Sequence, residues 1–168
     1  MFTVVEKPAH SALSSLDLQS EEVNDAIVDQ AKTIMANRFQ PGRHIQSPSD
    51  AKDFLRIELG DSDIEVMGML VLSNANNVLG IETLATGTID RCTVYPKEIA
   101  RTLLLKYPRA NALCLFHNHP SGSIEPSDAD QRFTQLVIEV CNLLDVRVLD
   151  HFIITSRDVF SFAEEGLI

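Results

Sequence analysis

Cysteine is scarce in this 168-residue chain. There are three thiols, Cys92, Cys114 and Cys141, an odd number set far apart and without a C-x-x-C pair. That excludes a disulfide framework and predicts reduced, mostly buried thiols of a cytosolic protein. Positive charge is short as well: 14 Lys and Arg stand against 24 Asp and Glu, for a net charge of −10. So acidic a chain is ill suited to sequence-independent binding of phosphate backbones, and a nucleic-acid role would need a local basic patch working against the overall field. No apolar run approaches the ~18 residues of a membrane span. The opening MFTVVEKPAH lacks the basic start and apolar core of a signal peptide, so none is expected. Repeats and low-complexity tracts are missing too. What remains, 45% apolar and 23% charged, describes one globular domain of ordinary size with a small appendage, able to bury a core without staples.

Residues 1–19 show no period and read as a mobile arm. Over 21–38 the spacing predicts a helix with Val23, Ala26, Ile27, Ala31, Ile34 and Met35 on one face and Ser20 as N-cap. Phe39–His44 breaks that pattern, which puts a boundary there: an N-terminal arm and helix over 1–44 and the main domain over 45–168. Ser47-Pro48-Ser49-Asp50 is a capping-box variant with Pro at the first helical position. It should open a helix carrying Ala51, Phe54, Leu55 and Leu59, closed by Gly60. Residues 65–72 and 78–86 read as a hairpin around the Asn74–Asn77 turn. A helix follows over 96–107, with Ile99, Ala100, Leu103, Leu104 and Tyr107 on one face. Then come a strand over 112–117, a polar loop, and a helix over 128–144 carrying Phe133, Leu136, Val137, Val140 and Leu144. Strands over 146–155 and 159–162 finish the chain. Alternating strands and helices with a hairpin and a terminal strand pair predict an α/β (α+β) fold, a mixed sheet flanked by helices.

The chemistry sits in His117-Asn-His119-Pro120-Ser-Gly122-Ser-Ile-Glu-Pro126-Ser127-Asp-Ala-Asp130. Histidines at i and i+2 of a strand end point to the same side, where their imidazoles can meet one metal ion. Asp130, eleven positions after His119 and in the first turn of the next helix, can complete the set if the Gly/Pro loop folds back. Two imidazoles and a carboxylate suit Zn²⁺ and leave a fourth tetrahedral position for water, the mark of a catalytic site. A hydrolase then needs a base, for which Glu65, a lone carboxylate opening an apolar strand, is the best candidate. It also needs a donor for the developing oxyanion, for which Ser127 is placed.

An upstream Glu followed by H-x-H, seven residues and S-x-x-D resembles the JAMM motif of the JAB/MPN metalloproteases. The run HNHPSG, then P-S-x-x-D and a late Asp150-His151, is similar to the RadC branch of that superfamily. Gly87-Thr88, Tyr95-Pro96-Lys97-Glu98 and the closing FSFAEEGL match it too, over roughly residues 47–168. The resemblance implies a JAMM/MPN (cytidine-deaminase-like) architecture with a curved sheet between helices. It implies a zinc-dependent hydrolase acting on an amide (peptide or isopeptide) bond, with His117, His119 and Asp130 as Zn²⁺ ligands, Glu65 as general base and Ser127 steadying the tetrahedral intermediate. Longer RadC-like proteins carry an N-terminal helix-hairpin-helix segment. With no Gly-x-Gly hairpin before residue 45, this chain resembles the short form often carried by mobile elements. The expected partner is a protein or peptide substrate. A nucleic-acid-associated accessory role is the alternative and is not favoured by the charge, and a third reading is a module that grips a peptide tail without turnover. A homodimer through the sheet edges or the 21–38 helix stays open.

Blander readings stand beside these. S-x-x-D is itself a helix cap, so Ser127 and Asp130 can serve both ends. Glu58 and Glu82 compete with Glu65, one near a helix end and the other inside the hairpin. Asp150-His151 reads as a hydrogen-bonded core pair, or as an outer partner holding a ligand's tautomer. His10 and His44 read as solvated. Cys114, three residues before His117, should face the opposite side and is not counted as a ligand. Arg91, Lys97, Arg101, Lys106 and Arg109 read as a solvated helix face, with a phosphate or acidic-partner surface as the alternative.

Overall fold

The computed structural model describes residues 20–87 and 94–168. The expectations for the 1–19 arm, His10, Thr88, Arg91 and Cys92 lie outside these residues. The elements are α1 (Glu21–Arg38), α2 (Pro48–Leu59), β1 (Glu65–Leu72), β2 (Val78–Gly87), α3 (Pro96–Lys106), β3 (Ala112–Asn118), α4 (Asp128–Asn142), β4 (Arg147–Ile154) and β5 (Val159–Ser161). The strands form one open sheet in the order β2-β1-β3-β4-β5. β3 pairs in parallel with β4, and every other neighbour is antiparallel. This is the mixed α/β sheet that the strand and helix pattern predicts.

Period-2 alternation sorts the two faces. On one side Leu70, Leu72, Cys114, Phe116, Phe152 and Ile154 pack against Phe54 and Leu55 of α2. On the other, Met69, Val71, Leu113 and Leu115 pack against Ile99 and Leu103 of α3 and Val137 and Cys141 of α4. β3 lies between two strands and under helices on both faces, so all seven of its residues are buried. Burial pushes the Cys114 thiol up to about 12 and the Cys141 thiol up to about 11. Both are protonated and inert at neutral pH, and Cys114 faces away from His117 as expected.

The backbone makes one strict demand near the site. A Cβ on Gly68 would lie 2.2 Å from the Phe116 ring and 2.7 Å from the Glu82 carbonyl, so only glycine lets β1 pass under that ring. A register shift sits at the same point, between Met67 and Gly68.

Several expectations need correction. α1 has the predicted bounds, but Ser20 makes no side-chain cap bond and Met35 is the one buried residue of that helix. Ala26 is exposed and Ile34 is 50% exposed. The reason is geometric: α1 meets the rest of the fold at its C-terminal end, where Phe39 stacks on Phe54 at 4.2 Å. Gly60 follows α2 in ordinary right-handed conformation, so it is not a left-handed stop. α4 ends at Asn142 rather than 144, because Val146 N–H returns to the Cys141 carbonyl and Asp145 takes a positive φ of 56° to turn into β4. Leu104 and Leu136, placed on buried faces by spacing, are 60% and 51% exposed. His44 is exposed but its ring donates to the Ala75 carbonyl at 2.8 Å, steadying the β1–β2 turn. Among the described residues no helix is long and apolar enough to cross a membrane.

Candidate metal centre

β3 sends Leu113, Leu115 and His117 to the same face, so the strand that builds the core ends by presenting an imidazole. His117 is fully buried and His119, just past the strand end, is partly buried. A turn folds the chain back between them and α4. Gly122 N–H donates to the His119 carbonyl at 2.9 Å, and Gly122 holds a φ of 78° that favours glycine. The His119 Nδ1 then donates to the Ser123 carbonyl at 2.7 Å.

α4 starts where the loop returns. Ser127 and Asp130 form a complete capping box: each side chain receives the other's backbone N–H. The Ser127 hydroxyl also donates to Asp130 Oδ2 at 2.6 Å. Oδ2 is thereby occupied, and Oδ1 faces His117 Nε2 at 3.4 Å. The positive end of α4 favours the carboxylate there. The donor atoms of His117, His119 and Asp130 all lie within 4.8 Å of one another, so the three could hold a metal ion.

Donor counting assigns the ring protons. The Thr134 hydroxyl donates its one proton to the Asp130 carbonyl at 2.6 Å, so it accepts from His151 Nδ1 at 2.7 Å. His151 Nε2 is therefore bare and accepts from His117 Nδ1 at 2.9 Å. Burial, partly opposed by Asp130 and reinforced by His119, lowers the His117 pKa to about 4, so its ring is neutral and its Nε2 is bare as well. His119, whose Nδ1 proton goes to Ser123, also turns its Nε2 inward. The two Nε2 atoms stand 2.9 Å apart. With Asp130 oxygens 3.4 and 3.9 Å away, this cluster of two ring nitrogens and a carboxylate favours a cation among them. The donor set therefore fits a divalent metal that prefers imidazole and carboxylate.

Glu65 opens β1. The β1–β3 register pairs Met67 with His117, which puts Glu65, two residues earlier on the same face, level with His119. Partial burial raises its carboxyl pKa, His119 opposes that rise, and Asp130 adds to it. The competitors are elsewhere. Glu82 accepts from Lys106 at the end of α3 and from Tyr107 just beyond it, and Glu58 is exposed on α2. The cationic helix face is partly paired: Lys106 holds Glu82, Arg101 lies 3.6 Å from Glu98, and Lys97 sits over Tyr95.

Sequence reasoning missed three residues. The Asn118 amide accepts from Val66 N–H at 2.7 Å and donates to the Ser62 and Ile64 carbonyls at 3.3 and 3.0 Å, clamping the backbone on either side of Glu65. Its signal was present, since the middle residue of H-x-H must face the opposite side of a buried strand and find partners there. Thr134 was also findable, one turn beyond Asp130 on the same helix face. Ser123, which acts through its carbonyl, leaves no side-chain signal. Asp150 is the core pair expected: it accepts from Ser161 Oγ, Ala163 N–H and its neighbour's N–H. Its partner His151 reaches the site.

A family model described as the RadC-like JAB domain matches residues 45–167. A UPF0758 protein of Pseudomonas fluorescens (strain SBW25) is 42% identical over 141 residues, which is 84% of this chain and 62% of that relative. A UPF0758 protein of Thiobacillus denitrificans is 41% identical over the same length and shares. One from Vibrio cholerae serotype O1 is 38% identical over 153 residues, 91% of this chain and 96% of that relative. The chain thus spans less than two-thirds of the first of these relatives and nearly all of the last. From Ile45 onward, then, through the strand-end histidines and the capped aspartate that meet at one point, the chain belongs to the RadC-like JAB domain family.

Proposed function

We propose that the protein is a zinc-dependent hydrolase that cleaves an amide bond, peptide or isopeptide, of a protein or peptide substrate. One observation carries the reading: two imidazole Nε2 atoms 2.9 Å apart and an Asp130 oxygen converge within 4.8 Å, with an acid raised by burial at the same end of the sheet. His117, His119 and Asp130 are the ligands. When bound there, Zn²⁺ supplies a Lewis acid that brings the pKa of a water to about 7 and polarises a carbonyl.

The chain's own residues supply the remainder. Glu65 takes the proton of the attacking water and returns it to the departing amine. Its raised pKa suits that exchange, because a base poised nearer neutrality gives back what it takes. Asn118 keeps Glu65 in register by holding the backbone before and after it. Ser127 both caps α4 and, from the same rim, turns its hydroxyl to the carbonyl oxygen as charge builds there. The Asp130 carboxylate, still held at Oδ2 by the Ser127 N–H at 2.8 Å, keeps Oδ1 aimed inward.

Metal analysis of protein purified without added zinc, followed by zinc titration, tests the ligand set. The expected result is about one equivalent per chain, and a content below about a tenth that does not rise on titration overturns it. Glu65→Gln separates binding from chemistry: zinc content is unchanged and hydrolysis falls by about 10²–10⁴. Because the substrate is unidentified, the readout is the set of proteins whose cleavage differs between cells carrying the active chain and cells carrying Glu65→Gln. Identical proteomes in the two would remove the hydrolase reading.

A further inference from the structure

The late Asp150-His151 pair and the closing Phe160-Ser161-Phe162-Ala163 run lie outside the set of groups that would touch metal or substrate, yet they are built into one wall of the site. His151 and Thr134 have no solvent-exposed surface. The His151 ring stacks on Phe162 at 4.8 Å, and its backbone is tied on both sides. Its N–H donates to Asp150 Oδ1, and its carbonyl accepts from Phe162 N–H at 3.1 Å. Asp150 is held in turn by the Ser161 hydroxyl at 2.6 Å and by Ala163 N–H at 3.1 Å. The C-terminal segment thus fixes where this ring lies and how it is turned.

We propose that His151 is a positioning residue, set by Thr134, that forces His117 to carry its proton on Nδ1 and so to offer Nε2 to a metal. The logic runs in one direction along the hydrogen bonds. The Asp130 backbone carbonyl can only accept, so Thr134 must donate to it. The Thr134 oxygen must then accept from His151, and the bare side of His151 must accept from His117. With the opposite tautomer, His117 would place an N–H where a ligand lone pair is needed, and a neutral imidazole donates one or the other, never both. The chain of bonds begins and ends on the same helix turn, since Asp130 supplies both the carbonyl that starts it and the carboxylate that faces His117. The proton arrangement and the ligand geometry are therefore coupled through one residue. The part of this that concerns metal rests on the zinc reading above. The part that concerns tautomers does not.

The test uses the full chain. In metal-free, ¹⁵N-histidine-labelled protein, NMR correlations from the ring carbons should place the protons of His117 and His151 on Nδ1. A proton on His117 Nε2 overturns the proposal whatever zinc does. Zinc affinity is then measured by chelator competition. His151→Phe keeps an aromatic against Phe162 but removes the acceptor, and affinity should fall about 10- to 100-fold. His151→Gln keeps an oxygen that can accept from His117 and should recover most of that loss. Thr134→Val should weaken zinc in the wild-type background and add nothing to His151→Phe, whereas Thr134→Ser should be neutral. A folded His151→Phe that binds zinc like the wild type, or losses from His151→Phe and Thr134→Val that simply add, sinks the relay while leaving the metal centre standing. Nδ1 protons in a chain that takes up no zinc sink the metal reading and leave the relay.

Discussion

The molecule writes the same four-residue sentence twice. Ser47-Pro48-Ser49-Asp50 opens α2 and Ser127-Asp128-Ala129-Asp130 opens α4, and both are complete capping boxes. In each, the serine N–H donates to an aspartate Oδ2, at 3.1 Å in the first and 2.8 Å in the second. The difference lies in what surrounds them. The Ser47 hydroxyl pairs with Ser49, while the Ser127 hydroxyl turns to its own aspartate. Asp50 of the first box shares a cavity with Arg43, His44 and the end of α1. The second faces the end of β3 and two inward imidazole nitrogens. Local sequence makes the cap in both places, and the neighbouring strand end alone makes one of them a candidate metal ligand.

The sharpest way to break the comparison is to swap each aspartate for asparagine. Asparagine still accepts a backbone N–H, so both caps survive at a cost of about 0.3–1 kcal/mol for the charge lost at the helix N-terminus. On the zinc reading, Asp130→Asn removes the proposed anionic ligand, and zinc affinity should fall more than about 100-fold, beyond what the loss of an outer hydrogen-bond partner causes. Asp50→Asn should leave zinc affinity untouched. Equal effects in the two, measured by chelator competition, would mean that Asp130 is only a cap.

Acid should separate the two boxes next. Among the described residues the buried histidines are His117 and His151, and both belong to the α4 side. Burial holds the His117 pKa down to about 4 and that of His151 well below 6.5. The unfolded chain therefore binds more protons than the folded one below pH 6.5, and stability is lost as pH falls from 6.5 toward the folded values. For His117 the ceiling is on the order of 3 kcal/mol. Glu65 and Asp150, with carboxyls pushed up by burial, act in the opposite sense nearer their own range. The metal-free chain should melt at a lower temperature at pH 5.5 than at pH 7.5, and His151→Phe should show a smaller drop. A pH-independent melting temperature over that interval would contradict the buried, neutral rings.

These contrasts also mark what the sequence could reveal. The Pro48 start of α2, the two boxes, the hairpin and the H-x-H strand end depend on residues within a few positions of one another, and their bounds came out within a residue or two. The carboxylate and the imidazoles were legible because the loop between them is short and contains the turn residues it needs. Less legible was whatever required a partner far along the chain. His151 meets His117 across 34 positions, and Asn118 meets Val66 across 52. The half-exposed face of α1 was misjudged for the same reason: periodicity tells which side of a helix is apolar, not whether anything arrives to cover it.

The smallest effect tests Ser127, where cap and chemistry overlap. Ser47→Ala and Ser127→Ala each remove the oxygen that accepts the N–H of the third helical residue, at 3.3 and 3.1 Å, and each should cost about 1 kcal/mol of stability. If the α4 serine does nothing more, the two variants behave alike once that loss is matched by temperature. If its hydroxyl also turns from Asp130 Oδ2 to the developing oxyanion, Ser127→Ala lowers turnover with little change in KM, and Ser127→Thr restores it. Ser47→Ala then leaves turnover alone. Stability and turnover measured side by side on the two alanine variants read the difference between a helix start that is only a helix start and one that also faces a reaction.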